Sequence, residues 1–304
     1  AAVGLVAAPR PPAATPTPAA TDPPAPTPTP DTEPLVFQQP LSAGCATERG
    51  VWVFSDGGGI GRYDGERWEL VDAVLRSVVA AHCTEDVALG VGPGATLVRA
   101  DDAARAITGD TLGSEHLYGI AGTGFGIVVA GARGTVMVLT PDGWRAFARG
   151  ITEDLRDASD GTEGVWVVGV AGAAYRLEER GWVPHPTGTT ATLRAVALGP
   201  GGAVAVGDGG TILVFDDGWR AIPSETTSTL RAMAVVGGAL WLAGDGGTLL
   251  RLEGGGVSRR DLGTTCDLRW VFDRRGELWV VGSAPGRAGV WRVGADRVER
   301  WGSC

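Results

Sequence analysis

The sequence of 304 residues contains no lysine and no asparagine, and only three histidines and two methionines. Without asparagine there is no acceptor for N-linked glycosylation. All 26 basic side chains are arginines, a bias typical of GC-rich coding sequences, and 35 acidic side chains outnumber them. The resulting net charge of −9 repels phosphate backbones and anionic membrane surfaces, so nucleic acid is not expected as a partner.

Catalytic and metal-binding motifs are also missing. His82, His116 and His185 stand at unrelated positions and do not predict a common cluster. No zinc signature, nucleophile elbow or paired-carboxylate motif occurs, so we expect no metal, no cofactor and no catalytic residue. A hydrolase or lyase using channel carboxylates stays open as an alternative.

Residues 1–40 differ from the rest of the chain in composition. They hold 12 of the 19 prolines, mixed with Ala and Thr, and a single aromatic residue, Phe37. Such a segment has too little apolar surface to offset its ordering entropy, which predicts a disordered, polyproline-like spacer. The Thr-Pro runs favour an extracytoplasmic stalk, with a plain interdomain linker as the alternative. The apolar start at residues 1–8 is too short to identify as a signal peptide or an anchor, and no later run is long enough to span a bilayer.

Residues 41–304 contain an internal repeat. Leu-Arg pairs, or Leu followed by another residue, recur every 37 to 42 residues from position 75 onward. A period near 40 is typical of propellers and solenoids. The repeats are predicted to start near residues 41, 75, 117, 155, 193, 230 and 268.

Each repeat is predicted to form four short strands. A second anchor, Trp or Val, lies 11 residues after the leucine in six repeats, and Gly-rich turns such as those at 207–211 and 244–248 separate the apolar runs. Since one such sheet is too small to bury its own faces, seven of them are expected to close into a ring. The predicted fold is therefore an all-β, seven-bladed β-propeller of four-stranded antiparallel blades, with a β-solenoid as the alternative.

Two stretches resemble known propeller families. Residues 50–68 look like the repeats of two-component-regulator propellers, and residues 207–219 are similar to the BNR-like repeats of photosystem-assembly-factor-type propellers. The resemblance implies a propeller but no single function, because such repeats serve sensors, assembly factors, lectins and sialidases. The sialidase Asp-box places Trp directly after Thr, whereas here Ile212 follows Thr211, which argues against a sialidase.

The four cysteines are predicted to pair as Cys45–Cys83 and Cys266–Cys304. Cys266 and Cys304 fall in matching slots 38 residues apart, and Cys45 and Cys83 lie near the opposite end of the first strands of neighbouring blades. The pairing implies an oxidising compartment. Four free thiols in a cytosolic protein are the alternative.

The main candidate for ligand binding is a set of arginines that follow the opening leucines. Guanidinium forks suit carboxylates, so an electropositive collar at one mouth of the channel would bind an acidic peptide or sugar. Alternatively, the arginines pack between blades and pair with carboxylates such as Asp154, Asp157 and Asp267. Trp270 breaks the repeat pattern and is added as a further candidate. The arginines are Arg76, Arg156, Arg194, Arg231 and Arg269.

The favoured function is non-catalytic recognition. The sequence predicts an extracytoplasmic binding or scaffolding propeller for a protein or peptide, acidic partners included, and the alternative is a lectin-type propeller that binds a glycan. Four tryptophans that alternate with Val between repeats are interpreted as blade-to-blade packing rather than sugar platforms. They are Trp52, Trp166, Trp241 and Trp279.

Overall fold

The computed structural model describes residues 35–304 except 74–75, 102–104, 107–114, 125, 141, 148–149, 161–163, 200 and 296. Most of the segment predicted to be disordered, residues 1–34, therefore lies outside the described residues, as does Leu75. The described residues form 28 strands in seven four-stranded antiparallel sheets, which confirms the predicted seven-bladed propeller.

The strands follow one another from the channel to the rim in every blade. Blade 1 contains β1 Leu41–Thr47, β2 Gly50–Ser55, β3 Gly59–Tyr63 and β4 Trp68–Ala73; blade 2 contains β5 Ala80–Cys83, β6 Ala88–Gly92, β7 Thr96–Ala100 and β8 Arg105–Ala106; blade 3 contains β9 Leu117–Thr123, β10 Gly126–Gly131, β11 Val136–Thr140 and β12 Gly143–Ala146. Blade 4 contains β13 Leu155–Ser159, β14 Trp166–Gly169, β15 Ala174–Glu178 and β16 Gly181–Pro184; blade 5 contains β17 Leu193–Gly199, β18 Gly202–Gly207, β19 Ile212–Phe215 and β20 Trp219–Ala221. Blade 6 contains β21 Leu230–Val236, β22 Ala239–Gly244, β23 Thr248–Glu253 and β24 Gly256–Arg259; blade 7 contains β25 Asp267–Arg274, β26 Glu277–Ala284, β27 Arg287–Val293 and β28 Val298–Gly302.

The ring closes without a shared strand. Each sheet is built from four consecutive strands, and the innermost strand of every blade packs against the innermost strands of its neighbours, β1 against β25 included. Blades 7 and 1 are therefore joined by side-chain packing rather than by backbone pairing. The helices in the described part of the chain are short 3₁₀ turns, and none of them is long and apolar enough to cross a membrane.

In every blade except blade 2, the opening leucine of the repeat anchors the inner strand. Leu155, Leu193 and Leu230 are fully buried, and the pairing of each inner strand with the next strand shifts by one residue directly after the leucine. Such a bulge leaves the following residue out of the ladder and re-aims its side chain. The residue after the leucine is turned toward the channel for this reason.

Blade 2 corrects the predicted register. A Cβ placed on Gly92 would touch Ser77 and Val78, just as one on Gly207 would touch Thr192 and Leu193. Val78, three residues after the predicted anchor Leu75, therefore fills the leucine slot. Leu89 lies 11 residues after Val78 and so falls in the second-strand slot.

The segment just before blade 1 belongs to the ring. Leu35–Gln38 forms a 3₁₀ turn, and Phe37 is only 2% exposed in the core between blades 7 and 1. The predicted boundary at residue 40 is therefore too late, and the lone aromatic of the segment was the signal for it.

Two disulfides join the cysteine pairs that the sequence predicts. Cys45–Cys83 ties the inner strands of blades 1 and 2, with 5.5 Å between the Cα atoms. Cys266–Cys304 ties the residue before β25 to the chain end after β28, with 5.9 Å between the Cα atoms. The first bridge thus joins blade 1 to blade 2, and the second lies within blade 7.

Candidate functional site at the arginine-bearing mouth of the channel

A cavity of about 490 Å³ lies at the centre of the ring. The inner strands of all seven blades contribute to its wall, and its size is in the usual range for a ligand site. Four of the five candidate arginines line it, one from each of blades 4 to 7: Arg156, Arg194, Arg231 and Arg269.

Two of these arginines are held in forked ion pairs with their own blade. Arg194 donates through Nε and Nη2 to the two carboxylate oxygens of Asp208, and Arg231 does the same to Asp245. Burial pushes the pKa of Asp208 upward, but the hydrogen bond and charge of Arg194 outweigh it, so the pKa is lowered overall. Two parallel N–H···O bonds fix a guanidinium in one orientation. These two arginines therefore form rigid parts of the rim.

The other two arginines are held more loosely. Arg156 lies 3.6 Å from Asp154 (Nη2 to Oδ2) and 4.2 Å above the ring of Tyr118, and Arg269 makes a single 3.2 Å hydrogen bond to Asp267. The buried Nε of Arg156 has no hydrogen-bond partner among the described residues. An unsatisfied buried donor is costly unless water or a ligand satisfies it. Arg156 and Arg269 are thus the arginines best able to donate hydrogen bonds to an acceptor group of a ligand.

The predicted electropositive collar is corrected in two respects. The four lining arginines face four partner carboxylates, so their charges cancel, and Asp56 of blade 1 adds a further acidic group to the cavity wall. Arg76 precedes the Val78 slot, is exposed and does not line the cavity. The lining arginines face the channel and are also ion-paired. Asp154 and Asp267 are partners of arginines, as the alternative expects, whereas Asp157 accepts a hydrogen bond from the Val196 backbone.

Trp270 occupies the channel itself. It lines the cavity and packs against the hydrophobic clusters of four successive interfaces, from blades 6 and 7 round to blades 2 and 3. The matching position in five other blades carries a small residue that leaves room for the indole. These residues are Ala43, Ala80, Gly119, Ala195 and Ala232.

Asp157 is the remaining exception at that position. It borders the cavity, and its Oδ2 accepts a 3.0 Å hydrogen bond from the backbone N–H of Val196 in blade 5. Burial raises the pKa of Asp157 to about 7, although the Val196 and Ala158 backbone donors oppose the shift. Burial also disfavours the charged form of His82, which lines the same cavity, and so lowers the pKa of its imidazole. The cavity therefore offers a neutral imidazole and a carboxyl that titrates near neutrality beside paired charges.

Sequence reasoning missed the partners of Arg194 and Arg231. Asp208 and Asp245 belong to Gly-Asp-Gly-Gly segments, which were correctly interpreted as turns and which fold as single 3₁₀ turns. In both blades the aspartate follows its arginine by 14 residues. This shared spacing was the signal available for the ion pairs. It relates the residue at the start of the inner strand to the turn after the second strand, and the two lie side by side in an antiparallel pair of strands.

Comparison with known proteins supports the fold. The sequence matches no protein-family model and no curated protein. Among solved structures, it is similar to YCF48 bound to D1 peptide (TM-score 0.68, 16% identity, covering 86% of this chain and 95% of that one) and to YCF48 from Cyanidioschyzon merolae (0.64, 16%, 83% and 95%). It is also similar to the WD40 β-propeller domain of Doa1 (0.70, 12%, 84% and 93%). At these identities the likeness establishes a propeller fold. The likeness to two-component-regulator repeats stays a prediction.

Proposed function

We propose that this protein is a non-catalytic binding propeller that holds a peptide segment of a partner protein at the arginine-bearing mouth of its channel. The observation that carries the proposal is the convergence of four guanidiniums from consecutive blades on one cavity, next to Trp270. Aromatic and arginine side chains are the residues most often responsible for binding energy at protein interfaces.

The four arginines have different roles in this proposal. Arg194 and Arg231 keep their forks and shape the rim, while Arg156 and Arg269 receive a carboxylate of the peptide. A single 3.2 Å or 3.6 Å contact is easier to exchange than a two-bond fork, and the unsatisfied Nε of Arg156 gains a partner. The carboxylate belongs to an acidic side chain or to a chain end.

The comparisons support a peptide as the ligand. One of the similar structures is a propeller solved with a bound peptide, so this architecture has room for such a ligand. A cavity of about 490 Å³ accommodates a few side chains rather than a folded domain.

The test is a selection from a random peptide library with free carboxyl ends, followed by affinity measurements on the selected sequences. We expect the selected peptides to lose affinity when their carboxylates are replaced by amides, and R156Q and R269Q each to weaken binding by tenfold or more, as for a lost charged hydrogen bond of about 1.5–3 kcal/mol. R76Q is the matched control, since Arg76 lies outside the cavity. Equal effects of R76Q and R156Q, or unchanged affinity of selected peptides whose carboxylates are all replaced by amides, would contradict the proposal.

We also propose that the protein works outside the cytoplasm. The support is the pair of disulfides, which persist in oxidising compartments. Alkylation of native material without reduction, followed by mass spectrometry, is expected to leave all four cysteines unlabelled. Four labelled cysteines would contradict this location.

A further inference from the structure

A second pocket, of about 380 Å³, opens between blades 5 and 6. Its wall is apolar, with Val204, Val214, Leu240 and Leu252. Its lip consists of glycines in the turns of both blades, and side chains added at most of them would meet only open space: Gly201, Gly238, Gly254 and Gly255. The entrance is therefore unobstructed.

The pocket lies on the opposite face of the ring from the arginine-bearing mouth. Strand β17 begins with Leu193 and Arg194 at the mouth and ends with Gly199, which lines this pocket. No residue lines both cavities. The pocket thus shares no side chain with the site of the proposed function.

The repeat shows what usually fills this place. In blades 1, 4 and 6 the second strand carries a tryptophan paired across the sheet with an arginine of the third strand. The guanidinium carbon lies 5.5 to 5.9 Å from the centre of the indole, a cation–π arrangement. The pairs are Trp52–Arg62, Trp166–Arg176 and Trp241–Arg251.

Blade 5 replaces this pair by two valines, Val204 and Val214. Blade 3 has the same replacement, Val128 and Val138, but Phe147, Tyr175 and Trp182 pack against that cluster. Among the described residues, the cluster between blades 5 and 6 is the one of the seven that contains no aromatic side chain. The pocket therefore lies where aromatic side chains pack in the other interfaces.

An arginine is nevertheless present at the edge. Arg220 pairs with Val214 across β19 and β20, lines the pocket and is exposed, and Glu253 lies on the same rim. An aromatic ring inside the pocket would lie within reach of a guanidinium, as the tryptophans of blades 1, 4 and 6 do. A guest that supplies the missing ring completes an arrangement that the chain itself builds three times.

We propose that the pocket between blades 5 and 6 binds an aromatic side chain of a partner polypeptide beneath Arg220. The apolar wall suits a large apolar side chain, and the Arg220 and Glu253 rim suits flanking peptide groups of opposite charge. An aromatic side chain has the largest apolar surface to remove from water in such a pocket.

The experiment is a titration of the full chain, with labelled Val and Leu methyl groups, by N-acetyltryptophanamide and by N-acetylleucinamide, followed by NMR. We expect saturable shifts of the Val204, Val214 and Leu240 methyl signals with the tryptophan compound, and weaker binding of the leucine compound. Absence of saturable shifts at these methyl groups, or tighter binding of the leucine compound, would overturn the proposal.

Three variants sharpen the test. R220Q is expected to weaken binding of the tryptophan compound by about two- to fivefold, whereas R145Q, the matching position of blade 3, is expected to leave it unchanged.

V204W places the chain's own indole in the pocket and is expected to abolish binding. Because Arg220 is exposed, R220Q keeps the test decisive even if V204W fails to fold. Equal effects of R220Q and R145Q, or full binding by folded V204W, would show the pocket to be only a packing gap. Peptide binding at R156Q and R269Q reports on the other face independently.

Discussion

The interface between blades 7 and 1 and the interface between blades 5 and 6 solve the same packing problem with different side chains. Where the ring closes, Trp279 stacks on Trp301 at 5.5 Å between ring centres, Tyr63 lies 5.2 Å from Trp301, and Phe37 packs on Trp68. Between blades 5 and 6 the cluster is wholly aliphatic and leaves a pocket. The chain runs directly from blade 5 to blade 6, whereas blades 7 and 1 are not consecutive in sequence. The difference indicates that the closure depends on dense aromatic packing, while an interface between consecutive blades tolerates a gap.

The largest expected effect comes from removing an aromatic at the closure. Trp279→Ala is expected to lower the free energy of unfolding by about 4 kcal/mol, as for other buried tryptophans. Val204→Ala, at the same position of blade 5, is expected to cost only about 1 kcal/mol, because fewer atoms are removed beside an existing gap. Denaturant unfolding of both variants checks the pair, and equal costs would break the comparison.

The disulfide of blade 7 is expected to contribute nearly as much. The Cys266–Cys304 bridge closes a loop between cysteines 38 positions apart and so restricts the unfolded chain. Replacing both cysteines by Ser should lower the free energy of unfolding by about 3 kcal/mol. The Cys45–Cys83 bridge has the same separation, joins blades 1 and 2, and is expected to contribute a similar amount. Unchanged denaturation midpoints after both replacements would show that the bridges do not stabilise the ring.

A polar contact next to the open interface should give a smaller, pH-dependent effect. Asp157 has a pKa raised from 3.8 to about 7, so the folded chain holds a proton between these values that the unfolded chain has lost. Stability due to this group is thus present at low pH and falls as the pH rises from 4 to 7. Asp157→Asn should leave stability nearly unchanged at pH 4 and raise it by about 2 kcal/mol at pH 8, since cavity water reduces the full penalty of about 4 kcal/mol.

Denaturant unfolding at the two pH values measures this change. Asp154→Asn is the control, because Asp154 is a half-buried partner of Arg156 in the same blade. If Asp157→Asn were stabilised at pH 4 and not at pH 8, the raised pKa of Asp157 would be contradicted.

The smallest effect tests the pocket itself. Val204→Trp is expected to raise the free energy of unfolding by about 1 kcal/mol, because the indole buries apolar surface in space that is already open. Val128→Trp is expected to lower it by about 1–3 kcal/mol, because Phe147 and Trp182 pack against that position. Thermal unfolding of the two variants should move in opposite directions, and a loss in both would show that the pocket is too small.

Much of the fold was predictable because its main determinants are local and periodic. Leucines such as Leu155 and Leu193 recur at a fixed interval and are all buried, so their spacing alone indicates the ring. Blade 2 misled the alignment because Leu75-Arg76 imitates the motif, while an interval of 42 residues among intervals of 37 and 38 was the sign that the register was wrong.

The site was less predictable because it depends on contacts between blades. The spacing placed four arginines at one mouth, but their pairing with Asp208 and Asp245 arises from the turn that returns to the start of the inner strand. Trp270 spans the channel only because distant blades carry Ala or Gly at its level. A single repeat contains no information about such gaps, which appear only when the ring is complete.

The most direct test of the central claim is photo-cross-linking with a library-selected peptide that carries a photoreactive group beside its carboxylate. The labelled positions are then mapped by mass spectrometry. The proposed peptide site predicts labels on Tyr118, Met233 and Trp270, which line the cavity, and loss of those labels in R156Q but not in R76Q. Labels confined to the outer strands, or an unchanged pattern in R156Q, would contradict peptide binding at the arginine-bearing mouth.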